Sequence, residues 1–198
     1  MLENKTKIGL IALTIALFTS AFLIGFNAGI NYYRTANLNV EVESGYCAHI
    51  IVWLEKADGT KILIKDGVAL NNAGVLTNQG KDFIEGKLGD PSYGSNDKFV
   101  VYIAVSNDTS SPDADWTAIP DEINSGGLQR AQGTYQSTGT GQWQISVQFT
   151  ASASFINVQL TGLYWDASGN TLFASDTFAP VSLNANDKLT ITWVITVS

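Results

Sequence analysis

The chain has 198 residues, of which 45% are hydrophobic and 15% are charged, and its formal net charge is −7. This composition excludes an intrinsically disordered chain, and the length predicts one domain beyond any export segment. The negative charge argues against a nucleic-acid phosphate backbone as a partner.

An uncharged apolar run, Ile8 to Ile30, opens the chain after Lys5 and Lys7. With about 23 residues it is long enough to span a bilayer as a helix. It fits a cleaved secretory signal, with Thr19-Ser20-Ala21 as the small-x-small cleavage site, and the alternative is a retained anchor. Both interpretations predict a hydrophobic helix over residues 1–30. Both also predict an extracellular or cell-surface protein that meets the membrane only through this leader.

Apolar and polar side chains alternate through much of the chain after residue 37, which is the pattern of half-buried β-strands. The predicted strands are 38–42, 48–55, 61–64, 99–105, 143–150, 156–160, 171–174 and 189–197. Turn signals separate them, as in Ala57-Asp58-Gly59-Thr60 and around Gly169. The spacing predicts an all-β, jelly-roll-like β-sandwich over residues 46–198.

Two segments within this domain carry more specific expectations. The strand 48–55 is apolar at successive positions, so it is predicted to be central and covered on both faces. Lys81 to Leu88 is the one predicted helix of the domain, with Phe83, Ile84 and Leu88 on its apolar face. Gly89 is expected to end it.

The residues that most enzymes need are scarce. Cys47 is the only cysteine and His49 the only histidine. Cys47 is predicted to be a small buried hydrophobe, and His49 a strand histidine with its hydrogen bonds satisfied. A catalytic triad or a histidine zinc site would have to be built around His49. We therefore expect no enzymatic activity.

A long acidic loop, Ser106 to Gly127, is the main chemical candidate, because loops of this length in compact domains are commonly functional or anchored. Ca²⁺ prefers six to eight oxygen ligands, which such loops supply. The candidate ligands are Asp108, Asp113, Asp115, Asp121 and Glu122. The alternative is that aspartates favour turns and solvent. Asn107 opens the sequon Asn107-Asp108-Thr109 and is a candidate glycosylation site.

The extension over residues 31–45, between the leader and the domain, contains a strand-forming stretch without a tight turn to the next strand. Its alternate apolar side chains are Leu38, Val40 and Val42. A strand that is free to leave its own domain can pair with a sheet edge of a neighbour while its side chains fill pockets there. Such a head-to-tail contact produces filaments when its rotation does not close. The alternative is an ordinary first strand that pairs within its own domain.

Several segments together resemble the subunits of archaeal cannulae, which are extracellular protein tubes. The segments are Val75–Ile84, Tyr102–Thr109, Trp116–Ile123, Leu128–Ala131, Gly133–Tyr135, Phe149–Ala151, Gly162–Trp165 and Leu189–Trp193. The resemblance implies a jelly-roll subunit that polymerises by donor-strand exchange, with calcium at the subunit contacts. It matches the acidic loop as a whole rather than individual calcium ligands.

These observations lead to a secreted structural subunit that forms a homopolymer, a filament or a tube, assisted by Ca²⁺. Two alternatives remain open at this point. One is a virus structural protein of a capsid or tail. The other is a membrane-anchored surface module for adhesion or carbohydrate binding, which would use aromatic side chains such as Trp116, Tyr135 and Trp165.

Overall fold

The computed structural model describes residues 45–67, 74–89 and 98–197. Residues 1–44 lie outside this part, and with them the predicted leader and the predicted donor strand with Leu38, Val40 and Val42. Within the described ranges, no helix has the length and apolar character that crossing a bilayer requires.

The described chain contains ten strands and one helix, and the all-β prediction is confirmed. The elements are β1 (Tyr46–Glu55), β2 (Lys61–Asp66), β3 (Val75–Leu76), α1 (Asn78–Gly89), β4 (Tyr102–Ser106), β5 (Ala131–Gln132), β6 (Thr134–Gly139), β7 (Gln142–Thr150), β8 (Phe155–Tyr164), β9 (Leu172–Leu183) and β10 (Lys188–Val197).

The strands form two antiparallel five-stranded sheets that pack face to face. The front sheet has the order β2-β1-β10-β7-β6, and the back sheet has the order β3-β9-β8-β4-β5. Their inner faces share one continuous hydrophobic core. Trp193 of β10 lies at its centre with 0% exposure. The period-two prediction for β7 and β10 is confirmed, because Ile145, Val147, Leu189 and Ile191 all point into this core.

Strand β1 lies between β2 and β10, but its outer face is not covered as predicted. Ala48 and Ile50 point into the core, which places the odd-numbered side chains on the opposite face. Cys47 is exposed there, so the prediction of a buried cysteine is wrong. Trp53 on the same face is 41% exposed. The reason is that no layer of described residues packs over the outer face of the front sheet.

His49, on the outer face of β1, is a strand histidine as predicted, but its hydrogen bonds are not all satisfied among the described residues. Its side chain is partly buried, and its Nε2 atom has no hydrogen-bond partner among the described residues. Burial lowers the pKa of His49, and the nearby Lys65 lowers it further. Asp66 and Asp176 act in the opposite direction and raise this pKa.

Helix α1 follows the predicted segment closely. Thr77 caps it, because its Oγ1 accepts a hydrogen bond of 3.0 Å from the Gly80 amide. Phe83 is buried against the sandwich as expected. Leu88 is 85% exposed, so its predicted place on the buried face is wrong. The buried face of the helix is formed by Gly80, Phe83 and Gly86, and Leu88 lies off this face.

The back sheet departs from regular alternation in two strands. In β8, Asn157 has φ 55° and the register shifts between Phe155 and Val158. This irregularity turns Ile156 outward, where it is 68% exposed, although the sequence predicts that it shares a face with Val158. Strand β9 runs from Leu172 to Leu183, far beyond the predicted 171–174.

Candidate functional site

The sandwich has two lateral sides, where the edge strands of its two sheets lie next to each other. On one side, an ion pair joins β2 of the front sheet to β9 of the back sheet. Lys65 Nζ lies 2.7 Å from Asp176 Oδ2, and it also donates a hydrogen bond of 2.8 Å to the Thr177 carbonyl. The two side chains are 12% and 9% exposed. The sheets are therefore fastened together on this side, which we call the closed side.

The edge strands of the closed side carry the features that discourage pairing with another chain. Strand β2 has Lys61 and Lys65 within six residues. Strand β9 has Asp176 and Pro180 in the stretch that extends past its short partner β3. Charged residues and proline on edge strands oppose the addition of a further strand.

The opposite side is organised differently, and we call it the open side. The chain crosses here from the back sheet to the front sheet at Gly133, between β5 and β6. A Cβ atom at Gly133 would lie 2.5 Å from Cγ2 of Ile145, so only glycine permits this close crossing. Beyond it, an opening lies between β6 and residues 98–101.

Strand β6 forms one wall of this opening and is an unprotected edge. In the described part of the chain it pairs with β7 alone. Its sequence, Thr134 to Gly139, contains no charged residue and no proline, and all six residues are exposed. None of the residues that the structure describes pairs with its second edge of main-chain N–H and C=O groups.

The opening holds an apolar groove of 880 Å³. We call it the β6 groove and define it by Phe83, Lys87, Lys98, Phe99, Tyr135 and Trp143. A second cavity of 510 Å³ extends it towards Gly45 and Val197, and the two share Phe83, Lys87 and Trp143. Phe99 is 67% exposed and Tyr135 is 60% exposed. Large aromatic side chains exposed around one concave surface mark a binding surface.

Helix α1 contributes Phe83 and Lys87 to the lining of the β6 groove. The Phe83 ring stacks on Trp165 with centroids 4.9 Å apart, and it meets Phe173 edge-on at 6.2 Å. Lys87 Nζ lies 5.6 Å from the Phe83 ring centroid and 5.7 Å from that of Phe99. Its cation therefore covers both rings at the mouth of the groove.

The acidic loop does not gather its carboxylates at one point. Asp108 Oδ1 accepts a hydrogen bond of 2.7 Å from the Ser110 amide, and hydrogen bonds from the Ser110 hydroxyl and from this amide lower the pKa of Asp108. Asp113 Oδ1 accepts one of 2.9 Å from the Asp115 amide. These are local turn contacts of the kind that aspartates favour. Asp115 in turn accepts a hydrogen bond of 2.6 Å from the Asn78 side chain at the start of α1.

Glu122, the fifth predicted carboxylate along this loop, serves as an anchor. It forms a bidentate ion pair with Arg130, with distances of 3.0 Å and 2.6 Å. Arg130 also donates to the Gly169 carbonyl at 3.1 Å. The guanidinium therefore ties the long loop to the β8–β9 turn, and it neutralises the Glu122 carboxylate.

Among the described residues, no group of three or more His, Cys, Asp or Glu side chains is arranged to hold a metal ion. Calcium binding by Asp108, Asp113, Asp115, Asp121 and Glu122 therefore stays a prediction. Any such site needs main-chain oxygens or a neighbouring subunit to complete its six to eight ligands.

We expect excess Ca²⁺ to raise the melting temperature of the protein, because a ligand that binds only the folded state stabilises it. Calorimetry with Ca²⁺ and with a chelator measures this shift. Asp121 has φ 46°, a conformation that asparagine tolerates. Asp121→Asn therefore removes a carboxylate without strain and should reduce the shift. Equal melting temperatures with and without the chelator would contradict the prediction that the protein binds Ca²⁺.

Two further predicted positions lie on the surface. Asn107 is exposed at the start of the long loop. Its carbonyl accepts a hydrogen bond of 3.4 Å from Gln159. Glycosylation of Asn107 stays a prediction. The aromatic residues Trp116 and Trp165 are only partly exposed, since they pack against the two hydrophobic clusters.

The β6 groove itself was not predicted from the sequence. Phe99 and Trp143 were assigned to strands that face a core, and Lys87 and Lys98 carried no expectation. Two features of the sequence could have indicated the groove. They are the run of neutral polar residues in β6 and the aromatic residues Phe99 and Trp143, which lie outside β6. Comparisons of this chain with protein-family models, with curated proteins and with solved structures found no match.

Proposed function

We propose that this chain is the structural subunit of an extracellular filament or tube, of the cannula type, with a jelly-roll-like sandwich. In this proposal, subunits join when a strand from the N-terminal extension of one copy complements the sandwich of the next. The observation that supports this proposal most directly is the difference between the two lateral sides of the sandwich. One is fastened by the buried Lys65–Asp176 ion pair, and the other has an unprotected edge strand and an apolar groove.

The described surface also supports a structural role over a carbohydrate-binding one. Of the three aromatic residues that would serve a carbohydrate-binding module, Trp165 stacks beneath Phe83 and Trp116 packs against the second core cluster. Tyr135 is exposed, but it lines the apolar β6 groove rather than a flat polar face. This arrangement is better suited to apolar side chains of a partner strand than to sugar hydroxyls.

Electron microscopy of the purified full chain, with and without Ca²⁺, tests the proposal. We expect filaments or tubes from the full chain. A variant that lacks residues 1–43 should remain folded by circular dichroism, because the described core is built from residues after position 45. It should form no polymer, because it has no strand to donate.

Two outcomes would contradict the proposal. The first is a full chain that stays monomeric by analytical ultracentrifugation in every condition, including excess Ca²⁺. The second is a truncated variant that still forms the same polymers, since assembly would then depend on the described surfaces alone.

A further inference from the structure

We propose that Lys65 and Asp176 condense into an amide bond, a covalent cross-link between β2 of the front sheet and β9 of the back sheet. The bond would form within one chain, so it requires no second copy and goes beyond the proposed function. The two residues are 111 positions apart. Closing so long a loop removes conformational freedom from the unfolded chain, as a disulfide does, and stabilises the folded domain.

The amine already lies beside the carboxyl group that it would attack. Lys65 Nζ is 2.7 Å from Asp176 Oδ2. Since Cγ is one bond from Oδ2, the amine is close to the separation of about 3–3.5 Å that reacting atoms have in near-attack arrangements. The Thr177 carbonyl accepts a second hydrogen bond from Nζ, at 2.8 Å, and so holds the amine in this position.

The main chain of Thr177 also holds the carboxyl group. Its amide donates a hydrogen bond of 2.7 Å to Asp176 Oδ1, the oxygen that would carry negative charge in the tetrahedral intermediate. A main-chain N–H group aimed at such an oxygen stabilises the intermediate. Oδ2, on the side of the amine, is the oxygen that would leave. One residue therefore orients both reacting groups.

The burial of the pair favours the neutral forms that react. The Lys65 and Asp176 side chains are 12% and 9% exposed, and charges are costly in such a site. Burial raises the pKa of Asp176, although Lys65 opposes this shift. One proton moved across the hydrogen bond between Nζ and Oδ2 turns the ammonium and the carboxylate into an amine and a carboxylic acid.

The reaction is a condensation that needs no further reactant. The Lys65 amine adds to Cγ of the Asp176 carboxylic acid, and a proton passes from the attacking nitrogen to Oδ2. Oδ2 then leaves as water, so one N–C bond forms and one C–O bond breaks, with no change of oxidation state. The ion pair is the reactant. Freshly folded protein therefore carries the ion pair, on which its stability is measured, and aged protein carries the bond.

His49 is the group that we expect to carry the proton between the two reactants. Its Nε2 atom is buried and has no hydrogen-bond partner among the described residues. Burial lowers the pKa of His49, so the imidazole is neutral at pH 7, and the charges of Asp66, Asp176 and Lys65 also act on it. A neutral imidazole can accept a proton from one group and return it to another.

The pair formed by Lys56 and Asp187 lacks these conditions and serves as an internal control. Lys56 Nζ lies 2.9 Å from Asp187 Oδ2, but the Lys56 side chain is 32% exposed. The Asn184 amide donates a hydrogen bond of 2.9 Å to Asp187 Oδ2, and this contact contributes most to lowering the pKa of Asp187. Asp187 therefore stays a carboxylate, which an amine does not attack.

Peptide mapping of the full chain by tandem mass spectrometry tests the cross-link. The protein is incubated at neutral pH and elevated temperature, denatured and digested with trypsin. The bond should block cleavage after Lys65 and join peptide 62–81 to peptide 131–188, with a mass lower than their sum by one water molecule. No peptide should link Lys56 to Asp187.

Lys65→Arg is the matched variant, because arginine keeps the cation but has no amine that forms this bond. Its digest should contain only unlinked peptides. Asp58-Gly59 and Asp66-Gly67 can also lose water, through a main-chain succinimide, so the linked peptide and not the mass alone decides. Complete cleavage after Lys65 in the incubated wild type, or a water loss that persists in Lys65→Arg without any linked peptide in the wild type, would overturn the cross-link.

The role of His49 has its own measurement. His49→Ala is expected to slow the appearance of the linked peptide by about a hundredfold, the contribution typical of a positioned proton carrier. Free imidazole in the buffer should restore part of the rate, which it would not do if His49 only packed against its neighbours. An unchanged rate, or a slow rate that imidazole does not restore, would overturn this role and leave the cross-link standing.

Discussion

Replacing Lys65 with methionine is expected to lower the free energy of unfolding by about 3–5 kcal/mol at neutral pH, because a buried carboxylate loses its cation. Lys65 and Asp176 are 12% and 9% exposed, so water screens their interaction little. Chemical denaturation measures the loss. A loss below about 1 kcal/mol would place this pair with ordinary surface salt bridges.

The double variant Lys65→Met with Asp176→Leu serves as the control. Replacing both charges with apolar side chains removes the buried carboxylate, so most of the lost stability is expected to return. If the double variant is as unstable as the single one, the packing of the Lys65 side chain matters more than its charge.

The stability deficit of Lys65→Met relative to the wild type is also expected to be smaller in acid than at neutral pH. Burial raises the pKa of Asp176, and Lys65 opposes this shift. The folded protein therefore binds this proton more tightly than the unfolded chain, whose aspartate pKa is about 3.9. Without Lys65 the folded pKa rises further, so the deficit relative to the wild type should shrink as the pH falls towards about 4.

His49 contributes to this pH dependence in the same direction. Its pKa is lowered by burial and by Lys65, so removing Lys65 makes its protonation easier. Repeating the comparison in a His49→Gln background isolates Asp176. A deficit that does not change with pH in that background would show that Asp176 is not the titrating group.

Replacing Gly127 with alanine is expected to cost about 3–5 kcal/mol, through backbone strain together with a steric clash. Gly127 has φ 87°, and a Cβ atom there would lie 1.9 Å from the Thr150 carbonyl oxygen. The neighbouring Ser152 amide donates to the Gly126 carbonyl at 2.9 Å, so the loop has little room to move away. Thermal and denaturant unfolding measure the effect.

Gly169→Ala provides the matched control for Gly127→Ala. Gly169 has φ 79° at the β8–β9 turn, and a Cβ atom there would meet no atom within 4 Å. Its substitution should cost only the left-handed backbone term of about 1–2 kcal/mol. Equal losses for the two variants would mean that the close approach to Thr150 relaxes without cost.

Much of the fold could be predicted from the sequence, because its signals are local. The alternation in β7 and β10 reports which side chains face the core, and it requires no knowledge of the partner strands. The helix ends at Gly89 as expected, since glycine favours the end of a helix. The strand β9 was predicted too short, because Asp176 and Pro180 are rare inside strands.

The candidate site was much harder to predict. The local sequence suggests a plausible place for Leu88, Cys47 and the Glu122 carboxylate. Residues distant in the chain decide where each of these side chains lies. Cys47 is exposed because no described layer covers the outer face of the front sheet. Glu122 is engaged by Arg130, which also bonds to the β8–β9 turn. The acidic composition of the loop therefore indicates little about where its charges meet.

The sequence by itself determined the all-β class, the strand periodicity, the main turns and the single helix of the described domain, because these follow from local backbone preferences and side-chain alternation. Only the tertiary structure decided which lateral side of the sandwich is closed and which is open. Lys65 and Asp176 are far apart in the chain, and so is Phe99 from Tyr135 and Trp143. Their meeting depends on strand order, and local periodicity carries no information about which strands become neighbours.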